Sequence, residues 1–305
     1  MVEKLKFIWM DGKLVNWDNA NVHVLTHSLH YGLGAFEGIR SYETVDSKSA
    51  IFRLQDHIRR LFDSAHIVQI KIPFSINALI NACKETVKAN DIKESYIRPI
   101  AYIGEGAIGV NPKDNPIGVS IIVTKMGKYL GKEAMEKGAK VKISSFTRYF
   151  VNSAMTRAKL TGNYMTSVLA KREVVSLGFD EALMLDTDGF IAEGTGENIF
   201  IVKNGILKTT PFTSILPGIT RSTVIQVAKD FGYEVREDRF TRDELYIADE
   251  AFFTGTAAEV TPIGEVDGRV IGKGGIGPIT KKIQTTYFDI IRGKNKKYAE
   301  WLTYV

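Results

Sequence analysis

The dipeptides Asp11-Gly12, Asp188-Gly189 and Asn204-Gly205 each stand between short apolar runs, and they constrain the fold more than any other local feature. Asp-Gly and Asn-Gly reach the positive φ angles that two-residue hairpin turns need, so the flanking segments read as paired strands. The first hairpin joins Phe7-Ile8-Trp9-Met10 to Lys13-Leu14-Val15. Elsewhere the apolar spacing changes to three and four, the period of a helix. This holds over Leu54 to Ile67, Ile76 to Val87, about Asn163 to Leu177 before Gly178, and Ile219 to Phe231, opened by Pro217-Gly218 and stopped by Gly232. Tyr96 to Ile103, Gly118 to Val123, Lys140 to Ser145 and Glu250 to Thr254 read as further strands. Regular periodicity fails over Lys125 to Lys132, where an interdomain linker is expected.

Composition narrows the function classes. With 44% hydrophobic residues in 305, the chain can bury a sizeable core, and it has no apolar run of membrane-spanning length. The start, Met1-Val2-Glu3-Lys4-Leu5-Lys6, has no apolar stretch to serve as a signal peptide, so a soluble, cytoplasmic protein is expected. The single cysteine, Cys83, leaves no intrachain disulfide or multi-cysteine metal site, and its apolar helical neighbours make it a buried, inert thiol. No metal is expected. A net charge of +5, with basic residues interspersed among acidic ones, speaks against nucleic acid and is compatible with small anionic substrates. The run Arg292 to Lys297 reads as a solvated helix end.

Among 40 basic residues, Lys159 stands out by context. It lies in Ala158-Lys159-Leu160-Thr161-Gly162-Asn163-Tyr164, and Ile191-Ala192-Glu193-Gly194-Thr195-Gly196-Glu197-Asn198 follows. A lysine amine can form a Schiff base with pyridoxal phosphate, and a carboxylate facing the pyridine nitrogen keeps that ring protonated as an electron sink. Glu193 or Glu197 could supply the carboxylate. The last two hairpins bracket this segment, which places Glu193 between strands in a turn shaped by glycine. Leu216-Pro217-Gly218-Ile219-Thr220 offers backbone amides at a helix start, a cup for phosphate or a plain start capped by Thr220. Gly255-Thr256-Ala257-Ala258 is a second small-residue turn able to hold an anion. The aromatic and glycine-rich stretch from His30 to Arg40 could wall a pocket or simply pack a core. Strand alternation puts Tyr96 and Arg98 on one face, and an inward arginine needs an anion, either a substrate carboxylate or a structural ion pair.

Together, in this order, the motifs from about Phe7 to Gln284 resemble the branched-chain amino acid aminotransferases of the fold-type IV enzymes that use pyridoxal 5'-phosphate. The resemblance implies an α/β (α+β) fold of two domains. A small N-terminal domain, 1–124, and a larger C-terminal pseudo-barrel domain, 138–305, would be joined by a linker loop, 125–137, with the cofactor in the cleft. It makes Lys159 the Schiff-base lysine, Glu193 the partner of the pyridine nitrogen and Tyr164 the partner of the phenolic oxygen. Arg60, the amides of Ile219 and Thr220, and Thr256 would bind the phosphate, and Leu216 would pack against the ring. The substrate α-carboxylate would rest on Thr256-Ala257-Ala258 near Tyr96. Phe36, Tyr31, Tyr129 and Tyr164 would form the apolar side-chain surface, Gly38, Arg40 and Met126 would border it, and Arg98 would receive the distal carboxylate of glutamate. Family members often carry tryptophan where this chain has Met126. Tyr31 and Val110 would come from the neighbouring subunit of a homo-oligomer, at least a dimer. The implied activity moves the amino group of leucine, isoleucine or valine to 2-oxoglutarate, in branched-chain amino acid biosynthesis. D-amino acid aminotransferase and aminodeoxychorismate lyase share Lys159 and Glu193 and are the rivals within the fold. Tyr96-Ile97-Arg98-Pro99 with Gly38-Ile39-Arg40 argues against both.

Overall fold

The computed structural model describes residues 3–112, 114–127 and 129–305, and the chain divides into two units. The first takes the N-terminal stretch to Met126 and adds Ala158–Gly162 and Ile290–Val305. Its sheet is antiparallel, in the order Leu302–Tyr304, Ser49–Phe52, Ile39–Glu43, Ser95–Ile103, Ile117–Thr124, Phe7–Met10, Lys13–Asn16. The expected first hairpin forms, with Asp11 and Gly12 both at positive φ. The long strand Ser95–Ile103 alternates buried and half-buried residues. Ile97 and Ala101 therefore enter a core with Ile121 and Val123, while Tyr96 and Arg98 share the opposite face, as the alternation requires. Helices Leu54–Ile67 and Ile76–Ala89 bury Leu54, Ile58 and Leu61, and Leu79, Cys83 and Val87, in that core.

One irregularity in this sheet matters for the site. Pro99 sits inside the long strand and cannot donate to a ladder. Beside it the neighbouring edge is broken into two strands, Gly34–Phe36 and Ile39–Glu43, whose register leaves out Glu37 and Gly38. The Glu37 amide donates to the Pro99 carbonyl at 2.8 Å. The segment Ala158–Gly162 joins the same edge: Leu160 bridges Ala35, and the amides of Thr161 and Phe36 donate to the carbonyls of Gly34 and Lys159.

The second unit comprises Gly127–Arg157 and Asn163–Asp289. Its mixed sheet runs Ile191–Gly194, Glu181–Leu185, Ala139–Ile143, Glu259–Val266, Glu250–Gly255, Asn198–Lys203, Ile206–Thr209, Val235–Glu237, with Arg269–Val270 pairing Glu259–Val266. The first strand of that order passes through a short turn into the sixth, so the sheet curls back on itself, in keeping with the pseudo-barrel expected. Both hairpins turned by Asp188-Gly189 and Asn204-Gly205 form. Helices Tyr164–Ser176 and Ile219–Asp230 begin and end within a residue or two of their expected limits. Four α-helices go beyond the elements read from sequence: His27–Tyr31, Gly131–Lys137 inside the expected linker loop, Arg242–Tyr246 and Pro278–Ile291. Among the described residues no helix is long and apolar enough to cross a membrane.

Candidate active site

In the first unit, Glu37 is wholly buried at the break beside Pro99. Arg60 grips it with two bonds, Nε to Oε1 at 2.6 Å and Nη2 to Oε2 at 2.9 Å, and His57 Nδ1 lies 2.7 Å from Oε2. Burial alone would push the Glu37 pKa up, but Arg60 and His57 outweigh it and hold the carboxyl well below the usual range. Arg60 and His57 sit three residues apart on helix Leu54–Ile67, which gives them one face. On the next turn Ser64 Oγ accepts the Lys159 amide at 2.9 Å. One helix thus fixes both the Arg60 head and the Lys159 backbone.

The Lys159 amine lies over the Phe36 ring, 5.1 Å from its centre, and the Arg98 guanidinium lies over the same ring at 4.6 Å. Burial comes first in lowering the Lys159 pKa, to about 8, with Arg60 and Arg98 also disfavouring its charge against the opposing pull of Glu37 and Tyr96. Arg98 Nη2 donates to the Tyr96 hydroxyl at 2.8 Å. No carboxylate pairs with Arg98 among the described residues, and its buried Nε finds no acceptor there. The structural ion pair that the sequence left open is therefore not what holds it. Gly38 leaves room for Tyr96, because a Cβ there would stand 2.0 Å from the Tyr96 hydroxyl oxygen and force the ring to shift. Arg40 Nη2 reaches the Met126 carbonyl at 3.4 Å. Tyr31 ends helix His27–Tyr31 and stacks on His27, while Val110 lies on an exposed loop.

In the second unit, Glu193 belongs to strand Ile191–Gly194 and pairs with Met184 after a bulge, so it is a strand residue and not the turn residue expected. The bulge supplies the physical reason: it shifts the register by a residue and carries the strand as far as Gly194, leaving only Thr195 to Glu197 to turn. Glu193 is nearly buried and is held on several sides. Arg148 Nη2 pairs with Oε1 at 2.8 Å, and Asn198 Nδ2 and the Leu216 amide donate to Oε2 at 3.1 and 3.2 Å. Asn198 Nδ2 also donates to the Leu216 carbonyl. Gly218, Ile219 and Thr220 open helix Ile219–Asp230, with Gly218 as the cap residue and no side-chain cap bond, so Thr220 is not the cap. Tyr164 opens its helix, Tyr129 lies under the Lys171 amine at 5.3 Å, and Thr256, Ala257 and Ala258 form the turn between strands Glu250–Gly255 and Glu259–Val266.

Sequence reading missed Glu37, His57 and Ser64 around Lys159, and Arg148 and Asn198 around Glu193. Glu37 and Asn198 lay inside quoted motifs, but nothing in the spacing paired Glu37 with a helix twenty residues on. Arg148 sits where no periodicity gave a signal. The residues fit pyridoxal phosphate on the chemistry of their donor sets. They include a half-buried amine of lowered pKa, a carboxylate pinned for an acceptor's role, an uncapped helix start of the kind that favours phosphate, and a guanidinium with an orphaned buried N–H.

The family model for class IV amino-transferases matches residues 34–266. The chain belongs to that family of aminotransferases. It is 52% identical over 305 residues to the branched-chain-amino-acid aminotransferase of Pseudomonas aeruginosa, covering 100% of this chain and 99% of that protein. The enzyme of the same name from Escherichia coli (strain K12) is 44% identical, with 99% and 98% covered. The solved branched-chain amino acid aminotransferase of Escherichia coli superimposes with a TM-score of 0.96 at 44% identity, covering 98% of this chain and 99% of that one. The branched-chain amino acid aminotransferase of Thermobaculum terrenum, solved in its PLP-bound holo-form, gives 0.92 at 35% identity, with 99% of both chains covered.

Proposed function

We propose that this protein is a branched-chain amino acid aminotransferase that uses pyridoxal 5'-phosphate to move the amino group of L-leucine, L-isoleucine or L-valine to 2-oxoglutarate. The observation that carries the reading is the half-buried Lys159 amine, over the Phe36 ring that Arg98 also covers, in a chain of the class IV family. The relatives' names support the branched-chain reading and lend nothing to the D-amino acid aminotransferase or lyase alternatives.

When bound, pyridoxal phosphate supplies the carbonyl that takes the amino group and a ring that accepts the electrons released at the substrate Cα. Lys159 would hold it, and its neutral amine would move the Cα proton. A free lysine has a pKa of ~10.4, so a neutral amine at working pH requires the desolvation and cationic neighbours that Lys159 has. Glu193 keeps the ring nitrogen protonated, and Arg148 and Asn198 keep Glu193 in place. Tyr164 holds the phenolic oxygen and Leu216 packs on the ring, while Arg60, Ile219, Thr220 and Thr256 take the phosphate. Thr256-Ala257-Ala258 takes the substrate α-carboxylate. Phe36, Tyr31, Tyr129 and Tyr164 face aliphatic side chains, with Gly38, Arg40 and Met126 at the border, and Arg98 takes the distal carboxylate of glutamate.

The domain limits proposed are 1–124 and 138–305 with 125–137 between them, save that Ala158–Gly162 and Ile290–Val305 return to the first unit. The enzyme works in the cytoplasm as a homo-oligomer, at least a dimer. Exposed apolar side chains at Leu29, Tyr31 and Val110, the last 91% exposed, support a partner surface there. The test of the whole reading is a panel of L- and D-amino acids with 2-oxoglutarate, assayed for glutamate. Glutamate formation confined to branched-chain L-substrates is expected, and turnover of D-alanine in preference would overturn it.

A further inference from the structure

Outside the machinery above, the second unit buries further carboxyls, among them Glu181 and Glu197, at 0% and 4% exposure. Glu181 begins strand Glu181–Leu185. It is well supplied with donors: Thr195 Oγ1 at 2.8 Å and the Ala182 amide at 2.8 Å on Oε1, and Lys171 Nζ at 2.7 Å on Oε2. Glu197 ends the turn that joins Glu193 to Asn198. Its Oε2 accepts the Gly196 amide at 2.7 Å, folding the carboxyl back over its own turn. Its Oε1 is buried and is offered no N–H or O–H among the described residues. Among the charged groups around this carboxyl, Glu181 weighs most against its ionisation, and Thr195 and Gly196 of one turn tie the two together, Thr195 to Glu181 and the Gly196 amide to Glu197.

Two ionised carboxylates can only accept hydrogen bonds, so such a contact in a dry interior needs a proton. Lys171 is already committed to Glu181 and balances one negative charge, not two. We propose that Glu197 is a positioning residue that carries a proton and donates it to Glu181, bracing the turn that delivers Glu193 and Asn198. A proton on the carboxyl removes the cost of a buried Oε1 that no N–H or O–H reaches. The tie from Thr195 to Glu181 fixes the tip of the same turn. The Gly194 amide closes that turn on the Glu197 carbonyl at 2.7 Å. A side chain at Gly194 would collide with Glu197 Oε2 at 2.7 Å, so the folded-back carboxyl and the glycine require each other. Burial and then Glu181 push the Glu197 pKa well above the carboxylate range, against the weaker pull of the Gly196 amide and Lys171. The other titratable neighbours are Tyr129, whose pKa is raised by burial and then by both carboxyls, and Tyr164, which acts on Tyr129 in the same direction.

The linkage has a definite sign. Because the folded pKa lies above the unfolded one, the stabilising contribution of the protonated form is fully present below the ordinary carboxylate pKa. It is lost as pH rises toward the folded value. Glu197→Gln, whose amide donates the same hydrogen bond without a proton to lose, should therefore gain melting temperature relative to wild-type holoenzyme as pH rises from about 5 to about 8. Infrared difference spectra in D2O should show the C=O stretch of an un-ionised carboxylic acid in wild type and its loss in Glu197→Gln. The same band should be lost in Glu181→Gln, where the new amide supplies the donor, which keeps the test open if the first variant folds poorly. Since the brace serves the role proposed for Glu193, Glu197→Leu should weaken pyridoxal phosphate binding by about tenfold in equilibrium dialysis, with Glu197→Gln close to wild type. A melting difference that stays constant with pH, or no acid band to lose, would overturn the shared proton. The infrared and melting results do not depend on the role of Glu193, whose failure would show instead as unchanged kinetics in Glu193→Gln.

Discussion

Arg98 lies over the rings of Phe36 and Tyr96 and donates to the Tyr96 hydroxyl, with no carboxylate partner among the described residues, so its charge is open to an incoming anion. Arg98→Met should cost the half-reaction with L-glutamate a charge-assisted hydrogen bond, about 1.5 to 3 kcal/mol, or roughly tenfold to over a hundredfold in kcat/KM. The half-reaction with L-leucine should fall little. Stopped-flow rates for both substrates decide it, and equal losses would refute a substrate-reading role. Lys159 carries a second prediction. Its folded pKa is depressed, so its contribution to stability is present above the ordinary lysine pKa and lost as pH falls through about 8. Apoprotein melts should show Lys159→Met gaining on wild type as pH drops from about 10 to about 8, and turnover in that variant should vanish. Near-wild-type turnover would remove Lys159 from the mechanism. Lys159, Tyr96 and Arg98 could be picked out from sequence because small neighbours and strand alternation mark them. Glu37, His57 and Arg148 could not, because a buried ion pair leaves no periodic trace when its partners come from separate elements.

At the scale of elements, the break in the strand edge at Glu37-Gly38 sets the position of both the buried carboxylate and the Tyr96 hydroxyl. Gly38→Ala would force the Tyr96 ring aside, since the new Cβ would stand 2.0 Å from its oxygen and 2.8 Å from its Cζ. Overpacking of this kind costs about 1 to 3 kcal/mol, and here it also breaks the Arg98–Tyr96 bond. Glutamate turnover should drop more than leucine turnover, with a lowered melting temperature; an unchanged substrate ratio would show that Tyr96 does not set Arg98. The long amphipathic helices and the hairpins could be read directly, because apolar spacing and Gly-containing turns encode them locally. Glu193 was displaced from turn to strand by a bulge, which is a register event between two strands and has no signature in either alone. The seven-residue helix Gly131–Lys137 is too short to show a period.

For the whole molecule, the first unit is discontinuous. Its core includes Ala158 and Leu160, and its sheet ends on strand Leu302–Tyr304, paired with Ser49–Phe52. A fragment of residues 1–126 lacks both additions and would expose the open edge of Ser49–Phe52 and the apolar bed of Leu160. It should aggregate or show no cooperative melt by circular dichroism, and a soluble fragment with a sharp transition would contradict this division of the chain. No single-sequence pattern announces such a return of the chain, because the segment Ala158–Gly162 is held by pairing with Gly32, Gly34 and Ala35, over a hundred residues earlier. On the ribosome this arrangement reverses the usual order, in which the N-terminal part folds first. The second unit has its last residue at Asp289, whereas the first must wait for Tyr304 before its sheet is closed. The part of the protein made first is therefore the part finished last, and its unclosed strand edge is the surface a chaperone would have to guard while synthesis continues.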